Sequence, residues 1–358
     1  MKCAVLLAAI CAAALHAQQT GQRPDFTANT DYVEIPVRVL DNKGRFVRNL
    51  TQRDFEVLED GAPQRLVNFS FIGLSSAPQT SSATGTRSGR VSGTRLYAVV
   101  IDDVHISRED TVKARSVVNV FIQQYASAAD SVAIVFTSGL PGVDLTADRS
   151  RVSSALDRLR GQWDPTEPAA LKEAKALGVI KLFGQVSRNL GETPRGSRRA
   201  IILMTAGVGC SAISSNPSGV PWCGSYMTDA LRDAAASDVI VYAIDPRGNR
   251  NPSWATSASG PRGGTAAVIQ ATRGAGDSAP NFYDGMHSLA NESGGFSVTG
   301  TDEFADAFKR IVGDFGEYYL LGYYSNHRDA GGRLRRNEVH VNRPGTKAFH
   351  RSTYVPAN

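Results

Sequence analysis

Residues 102–107 read DDVHIS: two adjacent carboxylates, an imidazole and a hydroxyl within a few residues of one another. Asp102, Asp103 and His105 are side-chain types that ligate a cation, and acidic residues that close an apolar run also serve simply to end a strand and support the loop after it. His105 has a similarly plain alternative, a hydrogen-bonding residue at the loop mouth. The other chemistry these types allow is a hydrolytic Asp103, His105 and Ser107 trio. Its spacing argues against it, because alternating residues of one short turn do not readily stack nucleophile, base and orienter in line. Ser107 has a local use in any case: Asp110 follows it by three residues in capping-box fashion, so Ser107 is predicted to cap the helix that follows.

The elements that must position these groups flank them directly. Residues 96–101 (LYAVVI) are a short apolar run rich in β-branched types, which reads as a buried central strand. After the polar turn, Ala114, Val117, Val118, Phe121, Ile122 and Tyr125 repeat with helical spacing. A continuous apolar strand followed by an amphipathic helix opens a doubly wound α/β sheet, and such sheets bind ligands at the carboxyl ends of their strands. Asp102, Asp103, His105 and Ser107 are therefore expected on an accessible rim.

Three more apolar runs follow, DSVAIVFTSG, RRAIILMTAG and DVIVYAID, with helical patterns between them, the longest from Pro168 to about Gly191. Asp245 ends the last of these strands, either facing the same rim or capping a turn. The chain's two ends look different. Residues 30–73 alternate Val33, Ile35, Val37 and Val39 and then break into short strands at Asn, Asp and Gly turns, an antiparallel unit too small to stand alone. Residues 316–356 supply three more strand-like runs, and the two ends are expected to pair into one small β unit beside the α/β domain of residues 94–315. Tyr318, Tyr319, Tyr323 and Tyr324 make the first of those runs aromatic, which reads as sheet packing before partner surface. Residues 74–93, rich in Ser, Thr and Gly, read as a linker, and 246–280 as a mobile insertion. Its GPRGGTAA segment lacks the lysine and the preceding strand of a phosphate loop.

With 358 residues, 42% hydrophobic and 20% charged, the chain can bury a full core. A net charge of +5 spread without a basic tract gives no nucleic-acid footprint. Residues 1–17 have a lysine, an apolar run and the HAQ transition of a secretory signal, with cleavage near Ala17, and no later run is long enough to span a membrane. The expected product is exported, to the periplasm or beyond. Cys210 and Cys223 remain, and in an oxidising compartment they most simply close a loop, stabilising it by roughly 3 kcal/mol. A zinc site there lacks a CxxC motif or a nearby histidine.

In order along residues 32–354, VRVLDNKGRFVRNLTQRDFEVLEDGAPQRLVNF, YAVVIDDVHIS, DSVAIVFTSG, VIVYAID, LANESGGFSV and YYLLGYY resemble the bacterial secreted VWFA-related family, which carries a von Willebrand factor type A domain. The resemblance implies a rim site in which D-x-S-x-S after the first strand, a threonine from a second loop and an aspartate after a later strand hold a divalent cation. Such a site leaves a position open for a partner's acidic group. Carried across, the motif reads Asp103-x-His105-x-Ser107, with imidazole in place of a hydroxyl; starting from Asp102, Val104 and Ile106 fall on the hydroxyl positions. Thr166 is the implied loop threonine, with Thr146 second, and Thr205-Ala206-Gly207 stands where the family has threonine-aspartate-glycine. One or two carboxylates with an imidazole suit zinc or manganese better than magnesium. The resemblance implies an exported, non-enzymatic protein that binds a protein or cell-surface ligand through a degenerate adhesion-type site. The alternatives are a metal-independent scaffold of an envelope assembly and, third, the hydrolase.

Overall fold

The structure is a computed structural model that describes residues 31–73, 95–194, 197–208, 223–249, 283–326 and 333–356. Residues 1–17 and 74–93, Cys210 and nearly all of residues 246–280 lie outside the described residues, and so do the expected signal segment, linker and Cys210–Cys223 pairing.

The α/β domain is built on a six-stranded sheet. Its strands are β5 (Arg95–Ile101), β6 (Ser131–Phe136), β7 (Val143–Thr146), β8 (Arg198–Met204), β9 (Val239–Ile244) and β10 (Phe296–Val298), in the order β10-β9-β8-β5-β6-β7. All pairs are parallel except β6 with β7, a short antiparallel edge that the sequence pattern did not reveal. β5 lies inside the sheet and is buried on both faces, which is why it reads as an unbroken apolar run. Tyr97, Val99 and Ile101 face one core layer, covered by α1 (Thr111–Val120), α2 (Arg149–Leu156) and α6 (Ala305–Asp314). Leu96, Ala98 and Val100 face the other, covered by α3 (Ala169–Gly191), α4 (Gly224–Ala236) and α5 (Asp284–Glu292). The fold class is thus the doubly wound one that the strand and helix periodicities imply.

The chain's ends combine into a β sandwich. β1 (Tyr32–Asp41), β4 (Leu66–Ile72), β11 (Tyr318–Tyr324) and β13 (Thr346–Phe349) form one sheet, in the order β13-β1-β11-β4. β2 (Phe55–Glu59), β3 (Ala62–Gln64), β12 (Arg335–Val341) and β14 (Thr353–Tyr354) form the other, in the order β14-β12-β2-β3. The final run of sequence supplies two strands, β13 and β14, because residues 350–352 cross from one sheet to the other. Tyr319 and Tyr323 are core, and Tyr319 sits among the rings of Phe46, Phe55, Phe69 and Phe71.

This sandwich is fastened to the helix ends farthest from the carboxyl edge of the six-stranded sheet. Helix C-termini leave carbonyls without intrahelical partners and carry negative dipole charge, so donors and cations settle there. Arg351 donates to the Ala235 carbonyl of α4 (2.8 Å), Ser352 and Thr353 to the Glu292 carbonyl of α5 (3.2 and 3.3 Å), and Arg38 pairs with Asp314 of α6.

Candidate functional site

The register of the sheet brings Phe136, Ile101, Met204 and Ile244 to one level. The next residue of each strand therefore falls in a row along the carboxyl edge: Thr137, Asp102, Thr205 and Asp245. Hydrogen bonds carry the ladder one step past the strands, with Asp102 N donating to the Met204 carbonyl (2.8 Å) and Thr137 N to that of Ile101 (3.0 Å).

Asp102 is the hub of this row. Thr205 Oγ1 donates to its Oδ2 (2.6 Å), Thr137 Oγ1 to its Oδ1 (3.1 Å), and His105 Nδ1 lies 2.9 and 2.8 Å from the two oxygens. Asp103 is held next to it by Ser138 N on Oδ1 (2.9 Å) and Gln162 Nε2 on Oδ2 (3.0 Å), with the single Thr137 hydroxyl proton shared between Asp102 and the Asp103 Oδ1, also 3.1 Å away. The contact with Asp102 fixes a proton on Nδ1 of His105. Burial disfavours the imidazolium, but the charge and hydrogen bond of Asp102 outweigh it and hold the ring's pKa above the ordinary histidine value.

The expectation that these groups lie on an open rim is corrected by the structure. Asp102 and Asp103 are 0% exposed and His105 is 3% exposed. A strap of residues 161–163 seals them. Gln162 N donates to the Asp103 carbonyl (2.8 Å), Trp163 N to that of Ile106 (2.9 Å), and the Trp163 ring lies 6.0 Å from the His105 ring. The strap runs so close that a Cβ on Gly161 would fall 2.1 Å from the Ser107 carbonyl oxygen, so only glycine fits.

Ser107 differs from its expectation too. Helix α1 begins at Thr111 with Asp110 in the cap position, and Ser107 lies one turn earlier. The reciprocal bonds of the Ser107 and Asp110 pair do form: Ser107 Oγ accepts from Asp110 N (3.2 Å) and donates to Asp110 Oδ2 (2.7 Å). They shape the turn ahead of the helix. With the Ser107 hydroxyl on Asp110, His105 on Asp102 and Asp103 on Thr137, the Asp103, His105 and Ser107 trio is not assembled.

The structure does not bring the two candidate loop threonines to Asp102 and Asp103. Thr166 is exposed and donates to Asp164 (2.6 Å) within its own loop. Thr146 pairs with Val132, at the amino end of β6. The hydroxyls that do converge are Thr137 and Thr205; of these only Thr205 drew notice in the sequence. Thr137, Ser138 and Gln162 went unnoticed, although Thr137 follows an apolar strand at the position equivalent to Asp102. Asp245 belongs to a separate cluster, with Arg247 Nη2 and the Tyr283 hydroxyl each 2.8 Å from its Oδ2.

A divalent cation of the implied kind needs oxygen lone pairs turned toward a common point. Here all four carboxylate oxygens of Asp102 and Asp103 already accept protein hydrogen bonds, and none is among the buried polar atoms left without a partner. His105 turns an N–H, not a lone pair, toward Asp102. The donor set as arranged does not fit magnesium, manganese or zinc, and no cluster of three or more His, Cys, Asp or Glu suited to a metal occurs among the described residues.

No protein-family model and no curated protein matches the chain. Solved structures match by fold. An aerotolerance-related membrane protein from Bacteroides fragilis does so at 15% identity and a TM-score of 0.33, over 61% of this chain and 96% of that one. The manganese-loaded TRAP protein of Plasmodium vivax matches at 12% identity and 0.32, over 73% and 93%. The human COPII-coat protein Sec24c matches at 10% identity and 0.33, over 75% and 44%. At such identities and scores these likenesses carry no function to this chain. No helix among the described residues is long and apolar enough to cross a membrane.

Proposed function

We propose that this chain is an exported, non-enzymatic protein-interaction module of the von Willebrand type A kind, whose adhesion-type rim has given up its cation. The observation that supports this most is that every oxygen of both rim carboxylates already accepts a hydrogen bond from the protein, from Thr137, Ser138 N, Gln162, His105 or Thr205. In place of a metal, the imidazole of His105 supplies hydrogen bonding and positive charge to Asp102, internally and under cover. The rim then presents a fixed surface to a protein or cell-surface partner instead of an open coordination position. Export rests on the signal-like residues 1–17, and the absence of catalysis on the separation of the only nucleophile, base and acid set the loop offers.

Isothermal titration of the chain from residue 18 onward with magnesium, manganese and zinc is the test. The expected result is no saturable heat at concentrations up to about millimolar. One-site binding below that, abolished by Asp103→Ala, would restore the cation-dependent adhesion site. The scaffold reading is favoured by one feature, the sandwich fastened to the C-termini of α4, α5 and α6. It predicts that partner capture survives rim substitutions and fails when the sandwich is disturbed.

A further inference from the structure

The joint between the sandwich and the α/β domain gathers three guanidinium groups. Val37 and Tyr319 turn into the sandwich core, so their neighbours turn outward: Arg38 of β1, opposite Phe349 of β13, and Tyr318 of β11. Arg38 reaches Asp314 of α6, and Gly313 leaves room for it, since a Cβ there would fall 2.8 Å from Arg38 Nη2. Arg310, one turn earlier on α6, lies over the rings of both Phe296 and Phe349 (4.1 and 4.3 Å to the centroids). Arg198, at the start of β8, lies over Tyr318 and Phe315 (4.3 and 5.2 Å) and donates to the Asp314 carbonyl (3.2 Å).

Charge in this joint does not cancel. Asp314 is the one carboxylate among the described residues set against Arg38, Arg198 and Arg310. The other carboxylates nearby have cations of their own: Asp130 pairs with Arg95 (2.7 Å), Asp306 with Lys309 (3.3 Å) and Glu317 with Arg48 (2.6 Å). Arg310 carries the clearest deficit. Its guanidinium has no hydrogen-bond acceptor among the described residues, and its buried Nε is as unpartnered as the buried Nε of Arg38. Burial pushes the Arg310 pKa down; Asp314 is the only carboxylate that opposes this, and the charge of Arg38 adds to it. Stacking on rings satisfies the faces of a guanidinium and leaves its edge, where all five N–H groups point, unfilled. A buried charge in that condition is costly until a counter-charge joins it.

We propose that a small oxyanion of the phosphate or sulfate kind binds between Arg310 and Arg38 and completes the joint between the sandwich and the α/β domain. Paired N–H groups along a guanidinium edge match two oxygens of one such anion, which is the recognition arginine is suited to. Phe296 and Phe349 hold the Arg310 plane in place for it, and Arg310 is only half-buried, so the anion has a way in from solvent. Bound there, the anion offsets the excess charge and ties α6 to β1, and the sandwich is held more firmly when it is present. The site lies at the amino end of the sheet, away from Asp102 and Asp103, and does not rest on the protein-binding reading. Metal titration therefore bears on the rim alone, and the following test on the joint alone.

Inorganic phosphate is the probe, titrated calorimetrically at low ionic strength into the chain from residue 18 onward. Saturable one-site heat is expected, with affinity lower by roughly tenfold or more in Arg310→Met, which keeps an apolar stem between the rings and removes the charge. Arg310→Lys, which keeps the charge and loses the planar fork, should also bind more weakly while unfolding at the wild-type temperature. Thermal unfolding gives the second readout: against sodium chloride of matched ionic strength, phosphate should raise the wild-type transition and leave that of Arg310→Met in place. Equal phosphate responses in the two proteins would overturn the proposal, because they would reflect a general salt effect. So would a wild-type protein that shows neither saturable heat nor a raised transition.

Discussion

Asp102→Asn removes one charge from the rim network and leaves the side chain's shape. In the intact protein the His105 pKa is raised by Asp102 against the opposing effect of burial. A group with a raised folded-state pKa contributes stability that is fully present below the ordinary histidine value and is lost as pH rises through the folded value. Without the carboxylate, burial and the charge of Lys175 oppose only the weaker pull of Glu167, the His105 pKa falls below the ordinary value, and the sign reverses: acid now favours unfolding. At about pH 5.5 the substituted protein must either hold the buried imidazolium without its counter-ion or release its proton, and either way the ion pair is forfeited, a loss of up to about 3–5 kcal/mol. At alkaline pH, above the folded value, the ring is neutral and the loss is that of strained buried hydrogen bonds, roughly 1–3 kcal/mol. Urea unfolding followed by tryptophan fluorescence, at both pH values for both proteins, measures the difference. A penalty equal at the two pH values, or larger at the alkaline one, would refute the assignment of Asp102 and His105 as an ion pair.

Two further outcomes follow from other residues. His350 is the opposite case to His105: its Nε2 accepts from Val339 N (3.2 Å), its Nδ1 bonds the Arg351 carbonyl (2.9 Å), and burial pushes its pKa down. His340 and Glu338 also act on it, the first lowering and the second raising its pKa. Stability from the neutral ring is present above the ordinary value of 6.5 and lost as pH falls, so amide exchange in β12 and β14 should accelerate below that pH while β5 remains protected. Gly161→Ala should lift the strap off Ser107, costing roughly 1–3 kcal/mol in thermal unfolding and making Trp163 more accessible to acrylamide quenching. An unaltered quenching constant would show that the strap yields elsewhere.

The strands and helices of the α/β domain were legible because their signal is local. β5, β8 and β9 are apolar on both faces and end at polar residues, and α3 is bracketed by Pro168 and Gly191. β7 escaped notice because four residues at an antiparallel edge, three half-buried and Asp144 exposed, carry no period. The start of α1 was misplaced by a turn because the Ser107 and Asp110 bonds that mark a capping box also stabilise an isolated turn, and nothing along the chain distinguishes the two.

The sequence by itself determined that a polar cluster follows β5 and that its members are carboxylates, an imidazole and a hydroxyl. Whether those groups face water or one another was decided only in three dimensions. Parallel pairing set Thr137 and Thr205, distant in the chain, on either side of Asp102, and a glycine at 161 let a remote segment close over the loop. Carboxylates at a strand end reach for the nearest donors, and which donors are nearest depends on the register of neighbouring strands, not on the residues beside them in sequence.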